Sequence, residues 1–181
     1  MNVPNYLTLA RIIAIPALVA VMLTDFQDRD LVATAIFVFA SLTDWLDGYL
    51  ARKKGLVTVI GQLLDPTADK LLITSAIICL VQLGRVPAWA AVIIIGRELA
   101  VSGFRSIASS RGVNIPASGL GKAKMGVESW AVGALILGPA YLGKFYFLAN
   151  PIGLWLAIIM ALTSAAEYYV RFGPQVLSKQ P

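Results

Sequence analysis

Four aspartates set the chemistry open to this chain. They stand in DWLDGYLARKKGLVTVIGQLLDPTAD, residues 44–69, with Asp44 and Asp47 three apart and Asp65 and Asp69 four apart. On a helix either spacing stacks side chains on one face, so each pair points in a single direction. The flanking stretches are apolar enough for a lipid bilayer, and between the pairs lies a basic turn, Arg52-Lys53-Lys54-Gly55. Two antiparallel helices joined there would bring their acidic ends together just inside one membrane surface. Four neighbouring carboxylates in low dielectric drive one another's pKa upward and do not all ionise without cations. Divalent metal meets that need.

Small residues accompany the acids. Gly48 follows Asp44 by four, Ala51 follows Asp47 by four, and Gly61 precedes Asp65 by four. Such gaps let a flat or sugar-like group approach the helix backbone, and they equally permit close helix packing. Lys70, next to Asp69, is read as neutralising a neighbouring acid. At the start of the chain Asn5, Thr8 and Arg11 recur every three residues along one side. That stripe is either an interfacial turn meeting lipid headgroups or a face turned toward the acidic site.

A second charged group lies further on. Arg97 and Glu98 fall inside an apolar run, where charges are costly and face a cavity or a partner. Glu98 either pairs with an Arg or Lys, or leaves Arg97 and Arg105, eight residues apart on broadly one side, to line a phosphate pocket. Lys122 and Lys124 serve as anchors at the membrane surface or as phosphate contacts beside Arg105. Glu128, four after Lys124, and Arg171, four after Glu167, are spaced for ion pairs.

The elements that must position these groups follow from composition. Of 181 residues 58% are hydrophobic and 14% charged, and the mean hydropathy is +0.76. That profile excludes a water-soluble globule. Apolar runs at Tyr6–Thr24, Leu31–Leu50, Ile60–Leu83, Pro87–Ala108, Gly126–Leu142 and Pro151–Val170 each approach the ~20 residues that span a bilayer as a helix. The expectation is a single all-α integral membrane domain over residues 1–181, with six transmembrane helices around a cytoplasm-facing polar cavity. The first run is expected to remain in the mature protein, since no small-residue cleavage site follows it.

Basic residues gather at the termini and the even-numbered turns, while Arg29, Arg85 and Lys144 stand alone in the others. This places the termini and the acidic site at the cytoplasm. The formal net charge of +5 favours anionic headgroups and phosphorylated substrates over nucleic acid. One cysteine and no histidine exclude an internal disulfide, a cysteine metal site and imidazole chemistry. Asp25, Asp28, Arg29 and Asp30 read as an outer connector, and Ser109–Leu120 as the longest cytoplasmic loop, suited to moving over the site.

Taken together, Asp44-x2-Asp47-Gly48-x2-Ala51-Arg52-x8-Gly61-x3-Asp65-x3-Asp69 resembles the signature of the CDP-alcohol phosphotransferase family, with every fixed position met. The resemblance implies a six-helix membrane enzyme, commonly a homodimer, that replaces CMP of a CDP-linked substrate with an alcohol. PNYLTLAR at the start, GRE at Gly96–Glu98, SGFR at Ser102–Arg105 and GKAK at Gly121–Lys124 are similar to the bacterial branch that takes glycerol 3-phosphate as acceptor. Met125 departs from the Thr expected in that branch.

Carried over by position, the resemblance assigns Asp44, Asp47, Asp65 and Asp69 to two Mg2+ ions, or Mn2+, with Asp69 also the proton acceptor. It assigns Asn5, Thr8, Gly48, Arg52 and Thr58, with the small residues Ala51 and Gly61 beside them, to CDP-diacylglycerol. All-oxygen ligation agrees with hard cations. The acceptor phosphate is expected against Arg97, Arg105, Lys122 and Lys124, in an enzyme of the bacterial inner membrane. Serine or inositol phosphate as acceptor, a cation carrier using the intramembrane acids, and a structural scaffold are the competing readings.

Overall fold

Backbone polar groups in an apolar run are satisfied most simply within the run itself, and each run here forms a helix. The computed structural model describes the backbone of residues 3–54, 59–113, 115 and 119–178, and side chains over 8–43, 64–113, 115, 119–121, 123–148 and 150–178. Its helices are α1 (Val3–Leu23), α2 (Arg29–Lys54), α3 (Val59–Gln82), α4 (Ala88–Ser110), α5 (Gly119–Leu142) and α6 (Lys144–Ser178). The protein is all-α, with no strand among the described residues. α5 and α6 are each long and apolar enough to cross a bilayer.

The chain divides into two compact units, Met1–Val86 with Val132–Phe147, and Pro87–Ala131 with Leu148–Pro181. In the first unit, among the described residues, α1 packs against both α2 and α3 more extensively than those two pack on each other. Its buried stripe runs Thr8, Arg11, Ile15, Leu18, Met22, alternating steps of three and four that keep one face inward. α2 answers with Ala33, Phe37 and Ala40, and α3 with Ala68, Leu72, Ala76 and Leu80. Alanine at four of these seven positions on α2 and α3 lets helix axes approach closely.

Thr8 and Arg11 thus face the interior of the unit, not headgroups. Their burial turns these two members of the opening stripe inward. Arg11 donates from Nε to the Ala40 carbonyl (3.2 Å), which Thr43 Oγ1 also reaches at 2.7 Å.

The Asp28–Asp30 turn is more than a connector. Arg85 pairs with Asp30 and donates from Nη1 to the carbonyls of Leu135 (3.2 Å) and Ile136 (2.7 Å). Those carbonyls lie where α5 breaks, at Gly138 (φ 68, ψ −177) before Pro139. Proline has no N–H and disfavours helix in the residue before it, so the last carbonyls before the break need another donor. Arg85 is that donor, and Tyr141 adds a hydrogen bond to Asp28 (2.8 Å).

A Cβ on Gly138 would lie 2.8 Å from Asp30 Oδ2 and 2.9 Å from Arg85 Nη1. Gly138→Ala should therefore lose about 2–4 kcal/mol, combining a backbone region nearly restricted to glycine with displacement of the ion pair. Denaturant unfolding in detergent checks this, and an unchanged midpoint would remove Arg85 and Gly138 from the account of the break.

In the second unit α4 and α6 run parallel. Trp89 meets Trp155 (ring centroids 5.7 Å), Arg97 meets Ala161 and Ser164, and Phe104 meets Tyr169 (4.9 Å). Contact positions rise together along both helices.

Candidate active site

The acidic signature lies on helical backbone. The backbone of Asp44 and Asp47 belongs to α2, and Asp65 and Asp69 belong to α3. Asp65 and Asp69 are half-buried. Asp65 Oδ1 accepts a 2.5 Å hydrogen bond from the buried hydroxyl of Thr8. That contact joins the start of α1 to the start of α3 and fixes one oxygen of a candidate metal ligand. Pro66 lies inside α3, where its missing N–H relieves the Gln62 carbonyl of its usual partner one turn before the acids.

The two described acids, Asp65 and Asp69, offer the oxygen donors that hard divalent cations take. Both are carboxylates on a helix, reachable at half exposure, and Asp65 is supported by a neutral hydroxyl. The side chains of Asn5, Asp44, Asp47, Gly48, Ala51, Arg52 and Gly61, together with all of Thr58, lie outside the described residues.

The four cations read as one phosphate site are divided between two settings. Arg97 donates to Glu98 (2.5 Å), Ser164 Oγ (2.6 Å) and the Ala161 carbonyl (3.2 Å). Lys124, only 2% exposed, pairs with both Glu98 and Glu128. Internal pairing of Glu98 is thus the arrangement observed, and Arg97 and Lys124 are committed to it. Lys124 belongs to the interior of the unit and not to a cavity mouth, because two carboxylates draw its ammonium inward. The expected Glu128 pair is present, as is Arg171 to Glu167 at 3.9 Å on the exposed surface.

Arg105 is exposed and lines a cavity of about 350 Å³ with Ser109, Gly112, Val113 and Ile115. Its Nη2 lies 3.5 Å from the Ile115 carbonyl, at the limit of a hydrogen bond. Guanidinium, hydroxyl and backbone around one cavity can receive a phosphate. The side chain of Lys122 lies outside the described residues.

An all-helical chain carrying two acidic pairs on successive helices defines a class, and residues 1–165 match the CDP-alcohol phosphatidyltransferase family model. The chain belongs to that family. It is similar to the CDP-diacylglycerol–glycerol-3-phosphate 3-phosphatidyltransferase of Bacillus subtilis (strain 168), 42% identical over 93% of each chain. The Rickettsia bellii (strain RML369-C) protein of the same name is 38% identical, again over 93% of each. The probable phosphatidylglycerophosphate synthase of Mycobacterium tuberculosis (strain ATCC 25618 / H37Rv) is 38% identical, over 94% of this chain and 81% of its own.

Proposed function

We propose that this chain transfers the phosphatidyl group of CDP-diacylglycerol to sn-glycerol 3-phosphate, forming phosphatidylglycerophosphate and CMP in phospholipid biosynthesis. The observation that carries it is the unbroken aspartate signature on α2 and α3, in a chain so similar to enzymes named for this reaction. Asp44, Asp47, Asp65 and Asp69 would hold two Mg2+ ions, with Thr8 orienting Asp65. When bound, such ions neutralise charge on the diphosphate and on the departing CMP. Asp69 takes the proton of the acceptor's free hydroxyl as its oxygen bonds to the lipid-side phosphorus. The bond from that phosphorus to the CMP oxygen breaks, and CMP leaves with the electron pair.

Asn5, Gly48, Ala51, Arg52, Thr58 and Gly61 belong to the CDP-lipid site in this reading. Arg105, with Lys122, takes the acceptor phosphate, while Arg97 and Lys124 stabilise the fold beside it. We place the enzyme across a bacterial inner membrane as six spans, working as a homodimer from the cytoplasmic face. Apolar side chains exposed along the helices support this, among them Val92 at 71% and Val170 at 78%. The parallel course of α4 and α6 supports the alternation.

Purified protein in detergent, offered CDP-diacylglycerol with glycerol 3-phosphate, serine or inositol phosphate in turn, should release CMP with the first. Release only with another acceptor overturns the assignment, and no release with any acceptor favours the carrier. Within the enzyme reading, Arg105→Ala should raise the glycerol 3-phosphate KM about ten- to a hundredfold, the equivalent of one charge-assisted phosphate contact. The CDP-diacylglycerol KM should hold. A reversed pattern would give the Arg105 cavity to the donor.

A further inference from the structure

The family match ends at residue 165, yet α6 continues to Ser178. The added turns are built into the unit. Tyr168, Phe172 and Val176 recur every fourth residue and are buried, forming one inward stripe. They share a core with Val101 and Ala108 of α4 and with Val113 and Ile115 just after it, with Phe104 and Ala165 packed at the edge. Arg111, the C-cap of α4, donates from Nη1 to the Val176 carbonyl at 2.7 Å.

The segment so held is the wall of the Arg105 cavity. Val113 and Ile115 line that cavity together with Gly112, whose φ of 68 turns the chain out of α4. The Val113 N–H closes the turn on the Ala108 carbonyl (2.8 Å). Beyond this turn and the Arg105 contact to the Ile115 carbonyl, Val113 and Ile115 are buried in the core that α4 and α6 share, and Arg111 ties the end of α4 to α6.

We propose that the last three turns of α6 are a positioning element for the acceptor site. Phe172, Val176 and Arg111 hold Val113 and Ile115 opposite Arg105, and so set the width of the space into which a phosphorylated alcohol fits. The proposal rests on reading the Arg105 cavity as the acceptor site. Because these turns lie beyond the family match, they adjust a shared reaction to one acceptor without touching the acidic signature.

The test uses the full chain in lipid nanodiscs and measures both Michaelis constants and kcat for Phe172→Leu, Arg111→Gln and Arg111→Lys. Phe172→Leu and Arg111→Gln should raise the glycerol 3-phosphate KM about three- to tenfold, the effect of one lost hydrogen bond or its packing equivalent. The CDP-diacylglycerol KM should stay constant. Arg111→Lys, which keeps a donor, should recover most of the loss. A purely structural role would lower kcat through loss of active enzyme and leave both KM values alone, which overturns the proposal. If Arg105→Ala raises the acceptor KM and these variants do not, positioning alone fails. If Arg105→Ala is also silent, the cavity reading fails and takes the proposal with it. Should Phe172→Leu not fold, the two Arg111 variants decide.

Discussion

Asp69→Asn should lower the rate of CMP release by at least about 10³-fold at saturating Mg2+, close to 4 kcal/mol of transition-state stabilisation. Asparagine has nearly the same shape, so α3 and its packing persist while the charge and the basic oxygen disappear. In the proposed mechanism Asp69 has two duties, metal ligand and proton acceptor, and only the first responds to added metal. Asp65→Asn should therefore shift the Mg2+ dependence to higher concentration and regain part of its rate there. Asp69→Asn should not. Chelation with EDTA should abolish release from the unsubstituted enzyme, and Mg2+ should restore it. The scaffold reading expects the opposite, since removing a carboxylate would relieve repulsion and leave function intact. An Asp69→Asn rate within tenfold of the unsubstituted enzyme would take the proton-acceptor role away from this residue.

The helical placement of the four aspartates was legible because its information is local. Spacings of three and four on helices need no tertiary contact to put carboxylates on one face, and α2 and α3 carry them as expected. The helices themselves were legible because membrane-length apolar runs are long. Their ends were not, because hydropathy reports where lipid contact stops and not where the helix does. α2 continues through Arg52–Lys54, and α6 extends from Lys144 to Ser178 beyond the run at Pro151–Val170.

Long-range pairs were illegible for a different reason. Thr8 meets Asp65 across 57 residues and Arg85 meets Asp30 across 55, separations that no helical period encodes. The break at Gly138 did leave a signal, since Gly-Pro inside a helical run marks a boundary. What the dipeptide could not announce was that Arg85 would satisfy the carbonyls before it. The connection after α4 is likewise shorter than its Gly, Ser and Pro content suggests, because α4 reaches Ser110 and α5 begins at Gly119, and Val113 and Ile115 within it are buried.

Glu98→Gln should be among the most destabilising substitutions in the second unit, costing about 3–5 kcal/mol. Glu98 stands between two cations, Arg97 and Lys124, and Lys124 also pairs with Glu128. Two positive and two negative groups balance there with Lys124 almost fully enclosed. Without Glu98 one positive charge is left in an interior unable to solvate it, and breaking such a set costs more than never having built it. The double variant Glu98→Gln with Lys124→Met keeps Arg97 and Glu128 and restores the balance, so it should recover most of the stability. Reversible unfolding in mild detergent measures all three proteins. A cost under about 1 kcal/mol for the single variant would show the network to be solvated and its charges independent. Glycerol 3-phosphate supplies the second discriminant. If Arg97 and Lys124 bound the acceptor phosphate, losing their carboxylate would free them for it, and the single variant would gain stability from millimolar glycerol 3-phosphate. With the two cations committed to the fold, the ligand should stabilise the single variant no more than it stabilises the unsubstituted protein.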